Sequence, residues 1–414
     1  TRSSYRFAGN STDMGPHLKP DAASYDEQFF TELLRKQQGS EEDFIAAKQA
    51  TNEGFLLQER NNAKYAVLFP ALLRDRKAKG IFNLLRIELK YILGDRPLLD
   101  VPSRYTSGAT TSCKSGNTPV HRWREPEITE RLRDFILENY IGLDYVFPVT
   151  ADEVNIVGGG KYAQVPKTWA ENRSIIIPPV CNVTQERMYG EEIRARLKTR
   201  GLDIRTAAEK HKMLAFLGSL CWSMINTDDV KNASNSIVTC LVKYIVPPMW
   251  FDALDAARVH SVHMPDVDEP GSYRPLQMFM GNGCGFCFEL ETAIFAAIIK
   301  VGYRLSGVPS GDNYRDIHVY GDDMIYDTRA TDAVRGIMRL CGFTTHVDKS
   351  FSRGTFRESC GGDYLNGLAV RPVHLKSRLE TDRERVVFLN QITRMRLLNS
   401  ERYTEEVHMV YCEV

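Results

Sequence analysis

Two adjacent carboxylates, Asp322 and Asp323, follow Gly321 inside the stretch Ile317-His318-Val319-Tyr320-Gly321-Asp322-Asp323-Met324-Ile325-Tyr326. Apolar residues lead in and out, so the spacing predicts two short strands joined by a tight turn with both acids at its tip. Neighbouring carboxylates repel, and hard divalent cations, which take oxygen ligands, supply the missing counter-charge. A third acid, Asp229, ends the run Leu220-Cys221-Trp222-Ser223-Met224-Ile225-Asn226-Thr227-Asp228-Asp229, which reads as a buried strand ending in carboxylates. Lys167 and Arg173 precede and open a β-branched run that ends at Pro178-Pro179, a strand able to carry cations into a cleft. Carboxylates from separate strands can bridge two divalent ions about 4 Å apart, which activate a 3′-hydroxyl and stabilise leaving pyrophosphate.

Those groups need a scaffold. Residues 1 to 24 are polar and read as a surface arm. From Asp26 to Gly94 apolar residues recur at helical spacing, with Phe29, Leu33 and Leu34 early and Phe82, Leu84, Leu85, Ile87 and Leu89 late. A hydroxyl-rich, small-residue loop runs from Arg104 to Gly116 and can approach a phosphate backbone closely. Residues 128 to 140 predict an amphipathic helix, Glu191 to Arg205 a charged one, and Ala233 to Val246 another, with Ser234 or Asn232 as its cap. Met280-Gly281-Asn282-Gly283-Cys284-Gly285-Phe286-Cys287 is a glycine-rich loop opening a long helix to about Leu305; a helix near Asp332 to Cys341 follows, then Lys349. Strand with Asp, helix, glycine loop, helix, hairpin with Asp-Asp, helix and strand in this order form a split βαβ sheet, which brings Asp229 and Asp322 to one edge.

Composition sets the frame. The 414 residues carry 53 Lys and Arg against 53 Asp and Glu, so a nucleic-acid partner must be held by local patches. One such patch spans 161 to 220, with eleven Lys and Arg against six Asp and Glu. Apolar residues at 43% and charged residues at 26% fit a globular chain of two or three domains or one multi-lobed enzyme. No apolar run is long enough to span a membrane, no signal-peptide core opens the chain, and nine scattered cysteines predict free thiols, so the expected setting is a cytoplasm without a membrane partner. The first residue is Thr, as expected of a processed chain or part of a longer reading frame. The Gly158-Gly159-Gly160-Lys161 run lacks the upstream Gly and the following Ser or Thr of a phosphate-binding P-loop.

The blocks Met280-Gly281-Asn282-Gly283 with Phe288-Glu289-Leu290-Glu291, Tyr320-Gly321-Asp322-Asp323, Gly342-Phe343-Thr344-Thr345 with Lys349-Ser350-Phe351, and Phe356-Arg357-Glu358-Ser359-Cys360-Gly361 occur in this order. The chain resembles the RNA-directed RNA polymerase of positive-strand RNA bacteriophages, the levivirus replicase β-subunit, from about 104 to 378. Val165-Pro166-Lys167 with Arg173 looks like its fingers motif, and Gly108-Ala109-Thr110 like its earlier small-residue loop. The resemblance implies an α+β right-hand polymerase: a helical region and start of fingers over 1–115, fingers over 116–218, a split-βαβ, ferredoxin-like palm with an antiparallel sheet over 219–350, and the end of the palm with a partial thumb over 351–414. It implies two Mg2+ ions, replaceable by Mn2+, on Asp229 and Asp322 with Asp323 in support. It gives Lys167 and Arg173 the incoming triphosphate, Lys349 the departing pyrophosphate, Asn235, Asn282 and Gly283 the nucleotide, and Arg357, Glu358, Ser359, Cys360 and Gly361 the primer end. The implied partners are single-stranded RNA template and nascent RNA, ribonucleoside triphosphates and host translation elongation factors Tu and Ts, in the cytoplasm of an infected bacterium.

Three features depart from that pattern. Asn235 stands six residues after Asp229, where the family has a second Asp that contacts the ribose 2′-hydroxyl. Two extra residues separate Gly283 from Phe288, so Asn282 or Cys284 takes the ribose-sensing position. The chain stops at Val414, short of the family's longer thumb. Other readings are a catalytically weakened RNA-binding scaffold, reverse transcription, a thiol redox site at Cys284 and Cys287, or a zinc site built on those thiols with His260 and His263.

Overall fold

The computed structural model describes residue 33 and residues 40–98, 108–114, 116, 118–168, 171–221, 224–375, 379–398 and 405–413. The expected N-terminal arm, Phe29, Leu34, Arg104 and Trp222 lie outside the described residues. Helix α1, Glu41–Leu72, begins at a capping box in which Ser40 and Asp43 exchange hydrogen bonds. Its buried residues, Ala47, Phe55, Asn62 and Phe69, recur every seven or eight positions, so α1 lies on the body along one narrow stripe. Helix α2, Arg76–Leu93, buries Phe82, Leu85, Leu89 and Ile92 at three- and four-residue spacing.

Two sheets position the chemistry, and a short parallel pair, β1, Glu127–Thr129, with β2, Asn155–Val157, precedes them in the chain. Strands β3, Gly160–Pro166, and β4, Asn172–Ile177, pair antiparallel with Val165 opposite Arg173. Strands β6, Ser261–His263, and β7, Arg274–Pro275, complete that sheet in the order β4-β3-β6-β7. Segment 261–275, inside the range expected for the palm, is thus hydrogen-bonded to the strand that leads to Lys167. The other sheet contains β5, Ile225–Asp228, β8, His318–Tyr320, and β9, Asp323–Asp327, antiparallel in the order β5-β9-β8. A full split-βαβ sheet has a fourth strand; here the segment after Gly342 makes isolated bridges instead, Phe351 to Thr227 of β5 and Thr345 to Val230 just past it.

Helix α9, Cys287–Ser306, is the centre of the molecule. Leu290, Ala293, Ile294, Phe295, Ala296, Ala297, Ile298 and Ile299 are all buried, and a helix apolar all round must be covered on every side. It packs on α2, on α5, Val180–Thr199, and on α10, Thr331–Leu340. Its core joins Trp250, Tyr189 and Phe343 in one cluster.

Three sequence expectations shift. Leu220 ends helix α6, Ile204–Leu220, and β5 begins only at Ile225. The helix expected from Ala233 starts at Thr239, because Asn232 adopts φ +51° and Ser234, Asn235 and Ser236 form a tight buried turn instead. Their short polar side chains satisfy backbone and neighbouring groups, which competes with helix propagation. Neither Ser234 nor Asn232 caps that helix, whose boundary residue is Val238. No helix among the described residues is long and apolar enough to cross a membrane.

Candidate active site

Tyr320 and Asp323 are paired across β8 and β9, which leaves Gly321 and Asp322 as a two-residue turn. Gly321 has φ +63°, and a Cβ there would stand 2.5 Å from the Phe288 ring, so the turn requires glycine. Thr292 on α9 accepts the Gly321 N–H through its hydroxyl at 3.0 Å, tying the turn to the central helix.

Asp228 and Asp229 take opposite roles because successive side chains leave an extended chain on opposite sides. Asp228 is buried and accepts from Arg335 Nη2 and Nε, at 2.6 and 3.0 Å, and from the Tyr326 hydroxyl at 2.5 Å. Asp229 faces a cleft of about 520 Å³ that Asp322, Glu291, Arg173, Lys167 and Lys349 also line. Lys349 Nζ is 3.0 Å from Asp229 Oδ2, and the backbone around Asp229 is fixed by His346, whose N–H donates to its carbonyl at 2.8 Å.

The electrostatics of the cleft are those of crowded acids. Asp322 keeps solvent access at the turn, but the cleft walls strip much of its hydration, and this, with repulsion from Asp229, raises its pKa. Lys349 and then Arg173 pull it back, so both cations reach the Asp322 carboxylate electrostatically. Burial opposes the charge on Lys349, yet the Asp229 carboxylate outweighs it and raises the pKa. Burial, then Asp322 and Asp229, push Asp323 up to about 6. Asp323 turns away from the cleft: Ser359 Oγ donates to it at 3.3 Å and the Cys360 N–H at 3.2 Å.

Sequence reasoning overlooked Glu291. It stands four residues after Cys287 on α9, is buried, and its Oε1 has no hydrogen-bond partner; burial and then Asp322 and Asp229 hold its carboxyl well above the usual range. The signal was present in Phe288-Glu289-Leu290-Glu291, since an acid in an otherwise apolar helix needs a reason. The donors facing the cleft are carboxylate oxygens short of counter-charge, and in kind they fit a hard divalent cation. Among the described residues no three His, Cys, Asp or Glu side chains stand together at ligand spacing.

The cleft floor is polar and neutral. Asn235 Nδ2 donates to Ser174 Oγ at 3.2 Å, while Asn282 Nδ2 contacts the Ser174 carbonyl and its Oδ1 accepts from Ser234, both at 3.4 Å. The two asparagines therefore converge on Ser174 of β4. Helix α1 supports them from below: Asn62, 2% exposed, donates to the Asn235 carbonyl at 2.8 Å, and Glu59 accepts the Met278 N–H at 3.1 Å. Nothing in the sequence of α1 marked these contacts. Gly283 has φ +111°, and a Cβ would meet the Ile176 carbonyl oxygen at 2.1 Å.

Several sequence assignments need correction. Cys284 does not share the asparagine floor; it lies on the far side of the glycine loop, beside Glu186, whose carboxylate accepts the Gly285 N–H at 2.8 Å. Arg357 is 0% exposed and donates to the carbonyls of Ile225, Gly354 and Phe356, so it braces the fold and cannot grip a strand. Ser359 is equally buried and links His211 to Asp323. Cys360 and Gly361 form the turn between β10, Phe356–Ser359, and β11, Gly362–Leu365, and Glu358 sits beside them with its pKa pushed up to about 8 by burial, then by Asp363. Lys167 is exposed and paired with Glu171 at 3.2 Å.

The thiol readings also fail. Burial, followed by nearby carboxylates, raises both the Cys284 and Cys287 thiols far above the range of a redox cysteine. His260 is engaged by Asp255 and His263 by the Ser272 carbonyl, so neither turns to the thiols.

The family model described as RNA replicase, beta-chain, matches residues 61–403. The chain belongs to that family. It is 28% identical over 338 residues to the RNA-directed RNA polymerase subunit beta of Escherichia virus Qbeta, across 80% of this chain and 55% of that protein. Against the corresponding subunit of Enterobacteria phage SP it is 31% identical over 319 residues, across 76% and 53%. This replicase-family chain thus spans about half the length of the curated relatives it matches. A solved picobirnavirus-type structure, the insertion loop deletion mutant of the RNA-dependent RNA polymerase of a human picorbirnavirus, aligns at TM-score 0.41 and 10% identity, over 76% of this chain and 72% of that one.

Proposed function

We propose that the chain catalyses RNA-directed RNA synthesis by nucleotidyl transfer at the cleft between β4 and the β5-β9-β8 sheet. The observation that carries this reading is the meeting of Asp229, just past β5, and Asp322, in the β8–β9 turn, with Lys349 paired to Asp229 and both Lys349 and Arg173 acting on Asp322. Asp229 and Asp322 would hold Mg2+, or Mn2+ in its place, which when bound neutralises phosphate charge and lowers the pKa of the attacking 3′-hydroxyl. Asp323 supports the hairpin from behind through Ser359 and Cys360. Arg173, and Lys167 once released from Glu171, bind triphosphate oxygens by charge-assisted hydrogen bonds. Lys349 serves the leaving pyrophosphate. Asn235 and Asn282 meet the ribose: a carboxamide both accepts and donates, so it recognises the 2′-hydroxyl without charge.

In this reading the β5-β9-β8 sheet with α9 is the palm, the β4-β3-β6-β7 sheet with α1 belongs to the fingers, and the segment after 351 closes the palm and begins a thumb. Single-stranded RNA is template and product, ribonucleoside triphosphates are substrates, and host elongation factors Tu and Ts are partners in the bacterial cytoplasm. The test is primer extension on an RNA template with all four ribonucleotides, with and without Mg2+. Metal-dependent, template-directed incorporation is expected. RNA binding without incorporation would replace this reading with the inactive scaffold.

A further inference from the structure

Beyond Ile204 at its start, helix α6 buries His211, Ala215, Gly218 and Ser219 along one narrow face, and it packs on β8, β9, β10 and β11. One imidazole therefore stands in a face of small residues. His211 is 1% exposed, its Nδ1 lies 2.9 Å from Ser359 Oγ, and its Nε2 has no hydrogen-bond partner among the described residues. The ring also meets His318 and Tyr320 of β8 edge to face, at centroid distances of 6.5 and 6.3 Å. Burying a polar ring is costly unless it is used, and this one reaches both strands of the hairpin that carries Asp322: β8 by ring contact, and β9 through Ser359.

The hydrogen positions along this chain follow from a count. Ser359 Oγ carries one proton and gives it to Asp323 Oδ1 at 3.3 Å, so toward His211 the same oxygen can only accept. Burial, then His318 and Lys210, lower the pKa of His211 to about 3, so the ring is neutral and has one N–H, which must sit on Nδ1. The other Asp323 oxygen, Oδ2, is held by the Cys360 N–H at 3.2 Å, from a two-residue turn in which Cys360 and Gly361 both have positive φ, +49° and +76°. Both oxygens of Asp323 are thus fixed from β10 and its turn, while its neighbour Asp322 lines the cleft.

We propose that His211 is a positioning residue: as an Nδ1–H donor it pins the Ser359 hydroxyl to Asp323, and so holds the Asp322 turn in the geometry that takes a divalent cation. The consequence for nucleotide addition rests on the polymerase reading; the hydrogen-bond chain and its effect on cation binding do not. Two measurements test it. Two-bond proton–nitrogen NMR of the chain with isotope-labelled histidine reads the tautomer, the His211 signals being assigned by their absence in His211→Asn and their shift in Ser359→Ala. Electron paramagnetic resonance of free Mn2+ gives the cation affinity of wild type, His211→Gln, His211→Asn, Ser359→Ala and the double variant of His211→Gln with Ser359→Ala, with primer extension alongside. Asn carries its amide nitrogen at the place of Nδ1 and Gln at the place of Nε2, so only Asn can still donate to Ser359. Ser359→Ala trims a single oxygen and decides the matter should the His211 variants fail to fold.

The expected result is the Nδ1–H tautomer for His211, with Mn2+ affinity about tenfold lower in His211→Gln and in Ser359→Ala, the low end for partners standing behind a metal ligand. The double variant loses about tenfold and not about a hundredfold, because both changes break one chain, and His211→Asn stays within about threefold of wild type although its smaller side chain lowers the melting temperature. An Nε2–H tautomer, an unchanged affinity in Ser359→Ala or additive losses in the double variant would overturn the proposal, as would equal losses in His211→Asn and His211→Gln, the mark of a purely packing role. If the affinities follow the expected pattern while wild type extends no primer, the positioning stands and the polymerase reading falls. Metal-dependent extension with affinities that the variants leave unchanged has the opposite meaning.

Discussion

Asp228 and Asp229 are neighbours in sequence and should fail in different ways. Asp228→Ala leaves the Arg335 guanidinium and the buried Tyr326 hydroxyl without their acceptor. Removing one partner of a buried pair costs about 3–5 kcal/mol, and because the Arg335 side chain is 24% exposed the lower end applies, about 3 kcal/mol. At about 2 °C per kcal/mol for a large chain, the melting temperature should drop by roughly 6 °C. Asp229→Ala removes a partly exposed pair with Lys349, which contributes about 0–1 kcal/mol, and also relieves repulsion with Asp322, so its melting temperature should stay within about 2 °C of wild type. Differential scanning calorimetry gives the melts, and single-nucleotide incorporation gives the rates. Asp229→Ala should melt normally and be inactive, while Asp228→Ala should melt early and retain activity at low temperature. The reverse pattern, a stable inactive Asp228→Ala beside an unstable Asp229→Ala, would refute the assignment of the two carboxylates.

Gly283→Ala must place a methyl group 2.1 Å from the Ile176 carbonyl at φ +111°, so it should cost about 2–4 kcal/mol and raise the Michaelis constant for nucleotides as Asn282 moves; melts and initial rates check both. Arg173→Ala should raise that constant about tenfold, as expected for a lost charge-assisted hydrogen bond, and Lys167→Ala less, because Lys167 already shares its charge with Glu171; a larger effect on RNA affinity than on nucleotide would show that both contact RNA instead. Glu186 is raised by burial to about 8, so the folded state holds a proton that the unfolded state gives up near the ordinary carboxylate value. Its contribution is complete below that ordinary value and is lost as pH rises toward about 8, at up to about 1.4 kcal/mol per pH unit; Glu186→Gln should flatten this part of the stability profile, and parallel profiles for the two proteins would show that Glu186 is ionised in the fold.

The hairpin, the central helix and the basic strand were legible because each follows from local chemistry: Gly321 for the turn, an unbroken apolar run for α9, and β-branched residues after Arg173 for β4. What eluded the sequence depends on contacts between distant segments. Nothing in the sequence marked Asn62 and Glu59, and only the packing of α1 against the turn at Asn235 and the segment at Met278 gives them these partners. Arg357 read as a strand-gripping cation, because sequence records a charge but not the four backbone carbonyls that enclose it. Asp229 was singled out in the sequence, but the role of its neighbour Asp228 depends on Arg335, more than a hundred residues away. Residues 232 to 236 misled the helix expectation because the Asn232 side chain bonds across to Gln58 of α1 and the Asn235 side chain to Ser174 of β4 instead of along a helix.

The central claim is that Asp322 and Asp229 hold the ions that drive nucleotidyl transfer. It is tested most directly by the single-turnover rate of one ribonucleotide addition on a primed RNA template, measured side by side for wild type and Asp322→Asn. Removing one anionic ligand should slow addition by at least about a thousandfold, roughly 4 kcal/mol of barrier, with the RNA dissociation constant unchanged. Addition at a near-wild-type rate by Asp322→Asn would contradict the account.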